Sequence, residues 1–252
     1  MPLGDIMSYI EKRALLKLYY KLFGVPALHS HIRWNAIRRY IDKKDKNADI
    51  GAGWGAMSFE FVKITGKSID CVEPDPKLIQ LGRKLASNAG IKKVRFIEDS
   101  LPKLSKLKRN HYDQILLIDV LEHVKEDLES LITINSLLKM GDTLIISVPT
   151  PNYPKYFGYD FANKIGHVRD GYTIEDLEKL LHRSGFEIIE YHYHTNFLSS
   201  YFCELWYKYG LPSLVRIVLF PFLKVLCILF DSVGEGIRSC GIALKAKKVR
   251  NV

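Results

Sequence analysis

The chain has 252 residues, of which 47% are hydrophobic and 26% charged, an ordinary balance for one folded α/β domain with an elaboration. Thirty-seven basic against 28 acidic residues give a formal charge of +9, which favours an anionic partner or a solvating lysine-rich surface. Cys71, Cys203, Cys227 and Cys240 are scattered, without Cys-x-x-Cys or histidines at ligand spacing, which excludes a disulfide framework and a structural zinc, so no metal is expected.

In chain order, residues 5–23 read as a helix with Ile6, Ile10, Leu15, Leu18 and Leu22 largely on one side and Lys12, Arg13, Lys17 and Lys21 opposite. Gly24-Val25-Pro26 breaks it, and a second helix spans about 30–42, with His31, Arg33, Arg38 and Arg39 among its apolar positions. From Ala48 strands alternate with helices, the sequence form of a doubly wound sheet. Strands are expected at 48–50, 68–73, 94–98, 112–119, 143–148 and 186–194. The fourth is continuously apolar over Ile115–Ile118, as a strand buried on both faces must be. Helices are expected over Lys77–Ala89, Glu126–Lys139 and from Thr173, where Asp176 completes a capping box, to Gly185.

Between the first strand and its helix runs Ala48-Asp49-Ile50-Gly51-Ala52-Gly53-Trp54-Gly55-Ala56-Met57. Alternate glycines let the backbone turn tightly and approach a ligand, and the following helix offers free N–H groups and the positive end of its dipole. Gly51-x-Gly53-x-x-Ala56 alone also fits a relaxed dinucleotide pattern. Three more features bear on the cofactor. Asp49 precedes the first glycine by two residues, with a third glycine at 55. Glu73 ends the next apolar run, where a carboxylate accepts hydrogen bonds from both hydroxyls of a ribose. Asp99 closes the third strand.

In this order the motifs resemble the class I S-adenosylmethionine-dependent methyltransferases, in particular those with the small-molecule methyltransferase domain, over roughly residues 46–196 and the last dozen or so. The resemblance implies a Rossmann-like α/β fold: a doubly wound, seven-stranded, mostly parallel sheet whose last strand, Cys240–Lys247, inserts antiparallel between strands five and six. It implies S-adenosyl-L-methionine as cofactor. Asp49 then lies near the methionine amino group, and Gly51, Ala52, Gly53 and Gly55 pass beneath the cofactor. Glu73, with Pro74 beside it, takes the ribose. Asp99, with Ser100, takes the adenine amino group, and Asp119 and Val120 flank the methionine end. Trp54 departs from the small or polar residue often found in such a loop.

An alcohol acceptor needs a base, whereas a carboxylate or phosphate needs only orientation. His167 opens a run, through Arg169, Tyr172 and Thr173, that resembles one in small-molecule and glycan methyltransferases, and it is the first candidate base. His123, after strand four, is the second; both also admit a purely structural role. Arg169 is placed to meet an anionic substrate or a nearby acid, and Tyr153, Tyr156, Phe157 and Tyr159 to line an acceptor pocket or pack on the insertion. No Asp/Asn-Pro-Pro-Tyr/Phe run follows strand four and no Pro-Cys nucleophile is present, so a nucleic-acid substrate is not expected.

Residues 211–230 are nearly all apolar but carry Arg216, Lys224 and Pro221, poor material for a spanning helix. They form a lid, a homodimer face, or a membrane-interface segment with Arg216 and Lys224 at phosphate head groups. The expected organisation is N-terminal helices 1–45, methyltransferase core 46–196, apolar helical insertion 197–235, and last strand with tail 236–252. Without a recognisable secretory signal, a cytoplasmic enzyme is expected, peripheral at a membrane on the interfacial reading, acting on a small or lipid- or glycan-linked acceptor. A nicotinamide-dependent oxidoreductase is disfavoured by Asp49, Gly55 and the antiparallel last strand. A catalytically silent binding subunit is disfavoured by intact Asp49, Glu73 and Asp99.

Overall fold

The computed structural model describes residues 19, 22–24, 27–153, 166–208, 213–233 and 239–252. Most of the expected helix 5–23, and Tyr156, Phe157 and Tyr159, lie outside the described residues. Helix α1 spans Leu28–Ile37 and tightens into a 3-10 turn at Arg38–Tyr40. Strand β1 (Asn47–Ile50) leads through the glycine loop into α2 (Ala56–Thr65), β2 (Ile69–Glu73) into α3 (Pro76–Asn88), and β3 (Val94–Glu98) across to β4 (Tyr112–Ile118). Asp75 caps α3 by accepting from the Lys77 amide, and Pro76 occupies the first helical position, where a missing N–H costs nothing.

The remaining elements are α4 (Asp127–Leu137), β5 (Leu138–Pro149), α5 (Ile174–Arg183), β6 (Phe186–His194), α6 (Phe197–Lys208), α7 (Ser213–Val233) and β7 (Gly241–Lys248). The capping box at α5 is present: Thr173 Oγ1 accepts from the Asp176 amide while Asp176 accepts from the Thr173 amide. The expected boundary between α4 and β5 shifts. The helix stops at Leu137, and Leu138 turns extended and fully buried, pairing with Tyr112 across a register shift. Core burial of Leu138 overrides the helical propensity of Lys139 and Met140, so Met140-Gly141-Asp142 lies within a strand instead of ending a helix.

The sheet has seven strands in the order β3-β2-β1-β4-β5-β7-β6, with β7 antiparallel to both neighbours. The doubly wound fold with an inserted antiparallel last strand is thus the one the motifs imply. Strand alternation divides the core between the two faces. Ile115 and Leu117 of β4 pack with Leu131, Ile134, Leu177 and Leu181 of α4 and α5. Leu116 and Ile118 pack on the other face with Trp34, Ile37, Met57 and Phe61 of α1 and α2.

Helices α6 and α7 follow β6 and cover the outer side of α1, where Leu28 and Ile32 meet Cys203, Trp206, Phe220 and Cys227. This arrangement corrects one expectation. Arg216 does not reach outward to head groups: it is 3% exposed, donates to the Trp206 carbonyl at 3.1 Å and lies over the Trp206 ring. Lys224 is half-buried, and its Nζ donates to the Phe23 carbonyl at 3.3 Å in a solvent-exposed contact. The exposed residues of α7 with described side chains are Val215, Val218, Leu219, Phe222, Val225 and Leu229, all of them apolar. No described helix is long and apolar enough to cross a membrane.

Candidate active site

Parallel strands side by side place their carboxyl ends along one edge, so residues distant in sequence line up there. In the order β3-β2-β1-β4 that edge carries Asp99, Glu73, the glycine loop after Asp49, and Asp119, across three strand spacings or roughly 14 Å. The spacing is that of an elongated ligand.

The glycine loop is shaped by close approach on one side and open space on the other. Gly51 has φ +73°, and a Cβ there would stand 2.4 Å from a Val120 methyl. Gly53 has φ +56°, and a Cβ there would meet nothing within 4 Å. Backbone packed below and open above is a cradle. Glu73, 7% exposed, holds it from beside: Oε2 accepts from the Gly53 amide at 2.9 Å and Oε1 from the Asp75 amide at 3.0 Å. A carboxylate has about four lone-pair sites, so both oxygens keep capacity for ribose hydroxyls. Ala52 is half-buried on the loop and Pro74 exposed after β2. Trp54 packs with Phe59, at a ring separation of 5.9 Å, and against Phe96 and Ile79.

Asp49 sits beneath the loop, 1% exposed, with its Oδ2 accepting from Ser58 Oγ at 2.7 Å. Burial is the main reason its pKa rises to about 7; the Ser58 hydrogen bond opposes the rise and the Glu73 charge adds to it. Asp99 accepts the Ser100 and Lys106 amides at 2.9 and 2.7 Å, which fixes the turn after β3 and leaves Ser100 exposed.

At the other end, Asp119 takes φ +53°, a left-handed conformation that a short polar side chain tolerates better than most. Arg33 of α1, 2% exposed, donates through Nε to both Asp119 oxygens at 3.0 and 2.8 Å, and through Nη1 to Thr195 Oγ1 at 2.8 Å. His29 Nε2 lies 3.3 Å from the same carboxylate. Burial, and then the Arg33 charge, push the His29 pKa below its ordinary value. Neither residue was marked by the sequence reading as part of the site; the available signal was their i, i+4 spacing on one helix face.

The segment after β4 and the loop before α5 are bound together. Val168 N donates to the Glu122 carbonyl at 2.9 Å, and Tyr172 Oη to the Leu121 carbonyl at 3.2 Å. Arg169 pairs with Asp127 and donates to the Val124 carbonyl at 3.1 Å, so it fastens the loop, and its partner is an acid of this chain. These bonds bring His123 and His167 into edge-to-face contact with ring centres 4.7 Å apart. His123 is exposed and its Nδ1 stands 3.2 Å from the Gly166 carbonyl; His167 is half-buried. Glu122 is 1% exposed, and burial, followed by the Asp119 charge, raises its pKa well above the carboxylate range. His192 and His194 are structural, partnered with Tyr40 Oη at 2.6 Å and with Thr195 Oγ1 at 2.7 Å.

A seven-stranded sheet of this order, with a glycine cradle and an acid at the end of each neighbouring strand, defines the class I methyltransferase architecture. The chain belongs to a methyltransferase-domain family, whose model matches residues 35–191, and it is S-adenosylmethionine-dependent. No curated protein matches its sequence. Among solved structures it is similar to a possible histamine N-methyltransferase from Thermotoga maritima, with a TM-score of 0.57 and 17% identity over 96% of this chain and 99% of that one. It is similar to an S-adenosylmethionine-dependent methyltransferase from Mesorhizobium loti, with a TM-score of 0.58 and 17% identity over 87% and 99% of the two chains. Phosphoethanolamine N-methyltransferase 2 from Haemonchus contortus, solved with S-adenosyl-L-methionine, matches with a TM-score of 0.62 and 15% identity over 99% of this chain and 60% of that one. At such identities these likenesses show the fold.

Proposed function

We propose that this methyltransferase acts on an oxygen of a small acceptor, and that the His123–His167 pair at the carboxyl edge of the sheet receives the acceptor's proton. S-adenosyl-L-methionine supplies an electrophilic methyl group on a sulfonium sulfur. The protein's own part is to hold the partners in line and to exclude water. In this reading Glu73 holds the ribose, Asp99 and Ser100 the adenine edge, and the Gly51–Gly55 backbone, with Ala52, runs beneath. Asp49 neutralises the methionine ammonium, and Asp119 and Val120 bound the methionine end with Pro74 at the ribose side. The observation that carries the oxygen-directed reading is the contact between two imidazoles beside Asp119, since an imidazole takes a hydroxyl proton near neutral pH. His167→Ala should lower turnover about 10²–10⁴-fold with cofactor affinity intact. Full retained activity would refute the base, and loss of cofactor binding would make the loop structural.

The outward face of α7 supports a finer reading, a lipid-linked acceptor taken up at a membrane surface in a reducing, cytoplasmic setting. Its exposed described side chains are apolar without exception, with Val218 69% and Phe222 67% exposed, more than chance scatter gives one helix. Incubation with labelled cofactor and separated lipid, glycan and RNA fractions tests this. Label confined to RNA or to a water-soluble fraction would overturn it.

A further inference from the structure

Glu122, His123 and His167 do more than stand near one another. One donor atom from each lies within 4.8 Å of those of the other two, the separation that a single cation spans. Glu122 is 1% exposed, and its Oε2 has no hydrogen-bond partner, a costly state for a buried carboxyl oxygen unless something is meant to meet it. The Gly166 carbonyl lies 3.2 Å from His123 Nδ1 and can only accept, a contact that suits the tautomer with its proton on Nδ1 and its lone pair on Nε2. That is the tautomer a metal-binding histidine adopts when a backbone carbonyl orients it. Arg33 engages both oxygens of the adjacent Asp119, which keeps that acid from drawing a cation away and offsets the guanidinium charge locally.

We propose that Glu122, His123 and His167 bind one divalent transition-metal cation, of the zinc, manganese, iron or cobalt type, beside the methyl-transfer end of the sheet. Two imidazoles and one carboxylate suit such borderline ions, and three protein ligands leave a coordination position open. On the methyltransferase reading, on which this clause alone rests, the open position takes an acceptor oxygen. A cation there would make an acceptor hydroxyl more acidic so that its proton is released to water, and the two histidines would act as ligands in place of taking that proton themselves.

Binding is tested without turnover. The full chain, stripped with chelator, is titrated with Co²⁺ followed by visible absorption, and with Zn²⁺ by calorimetry. One equivalent is expected, with a ligand-field spectrum of low-coordinate cobalt. Glu122→Gln, His123→Ala and His167→Ala should each weaken binding by at least about 100-fold, since even outer-shell changes cost 10–100-fold. His182→Ala, an exposed histidine on α5, should leave it unchanged. Glu122→Gln preserves shape and His167→Ala changes a partly exposed loop residue, and each variant's S-adenosylmethionine affinity reports that it is folded. No stoichiometric uptake, or uptake that the three substitutions leave intact, overturns the site. If cofactor binding persists in that case, the methyltransferase reading stands without it.

Discussion

Glu73 is the residue at which the cofactor geometry is most open to refutation. Each of its carboxylate oxygens holds a backbone amide, Gly53 at 2.9 Å and Asp75 at 3.0 Å, and each retains capacity toward the ribose. Ala at this position would remove both backbone anchors, confounding loop collapse with the lost contact. Gln keeps the volume and one of the two backbone anchors, sets its amide nitrogen against the other backbone N–H, and removes the charge. Hydrogen bonds to a charged group contribute about 1.5–3 kcal/mol. The dissociation constant for S-adenosyl-L-methionine should therefore rise about 10- to 150-fold in Glu73→Gln. Calorimetry on purified protein measures this, with the melting temperature as a check on the fold. Unchanged affinity in a folded variant would mean that the ribose sits elsewhere, and the assignment of every acid along the edge would fall with it.

Two other predictions follow from groups beneath and beside the cradle. Asp49 has its pKa raised from 3.8 to about 7, so the folded state holds a proton that the unfolded chain releases earlier. Its stabilising contribution is complete below the unfolded value and is lost as pH rises through the folded one, by up to about 4 kcal/mol. Denaturant unfolding of the cofactor-free protein should show this decline between pH 4 and 7, and Asp49→Asn should flatten it; cofactor affinity should rise over the same range, because an ammonium favours the ionised form. Arg33→Met should cost about 3 kcal/mol, the low end for breaking a buried pair because Asp119 keeps some contact with water. A change under 0.5 kcal/mol, the scale of an ordinary surface substitution, would show that the pair contributes no more than a surface contact.

What could be read in the sequence was what is local or ordered along the chain. Asp49 and Glu73 lie at the ends of their strands and the glycines and Asp99 just after theirs, so the strand–helix alternation of a parallel sheet brings them to one edge. The antiparallel β7 came from the resemblance rather than from periodicity, since Gly241–Lys248 reads as a strand of either direction. Arg33 was not legible: on an amphipathic helix a basic residue looks like a solvated one, and its interior position rests on Asp119, His194 and Thr195, all far from it in sequence. The grouping of Glu122 with His123 and His167 was equally hidden. It depends on the Val168–Glu122 and Arg169–Val124 bonds, which join segments over forty residues apart. Of the two partners open to Arg169 in the sequence, an anionic substrate or a nearby acid, the fold supplies the acid, Asp127.

The burial of Arg216 and the tie of Lys224 to the Phe23 carbonyl change what α7 should do at a lipid surface. A basic interfacial helix gains from apolar burial and from anionic head groups, about 1 kcal/mol per cation near the surface. Here the described exposed face offers no cation, so only the apolar part remains. Six side chains, each roughly half exposed, would gain about 1 kcal/mol apiece on burial, roughly 5–6 kcal/mol before the cost of association. That is weak, reversible partitioning. Co-sedimentation should therefore occur with neutral as well as anionic vesicles, with little dependence on salt, and Phe222→Asp should abolish it while leaving cofactor affinity unchanged. Arg216→Gln should instead loosen the packing on Trp206 and lower the melting temperature. Indifference to both vesicle types, together with a concentration-dependent dimer that Phe222→Asp dissolves, would show that the face meets a second copy of the chain and would refute the lipid reading.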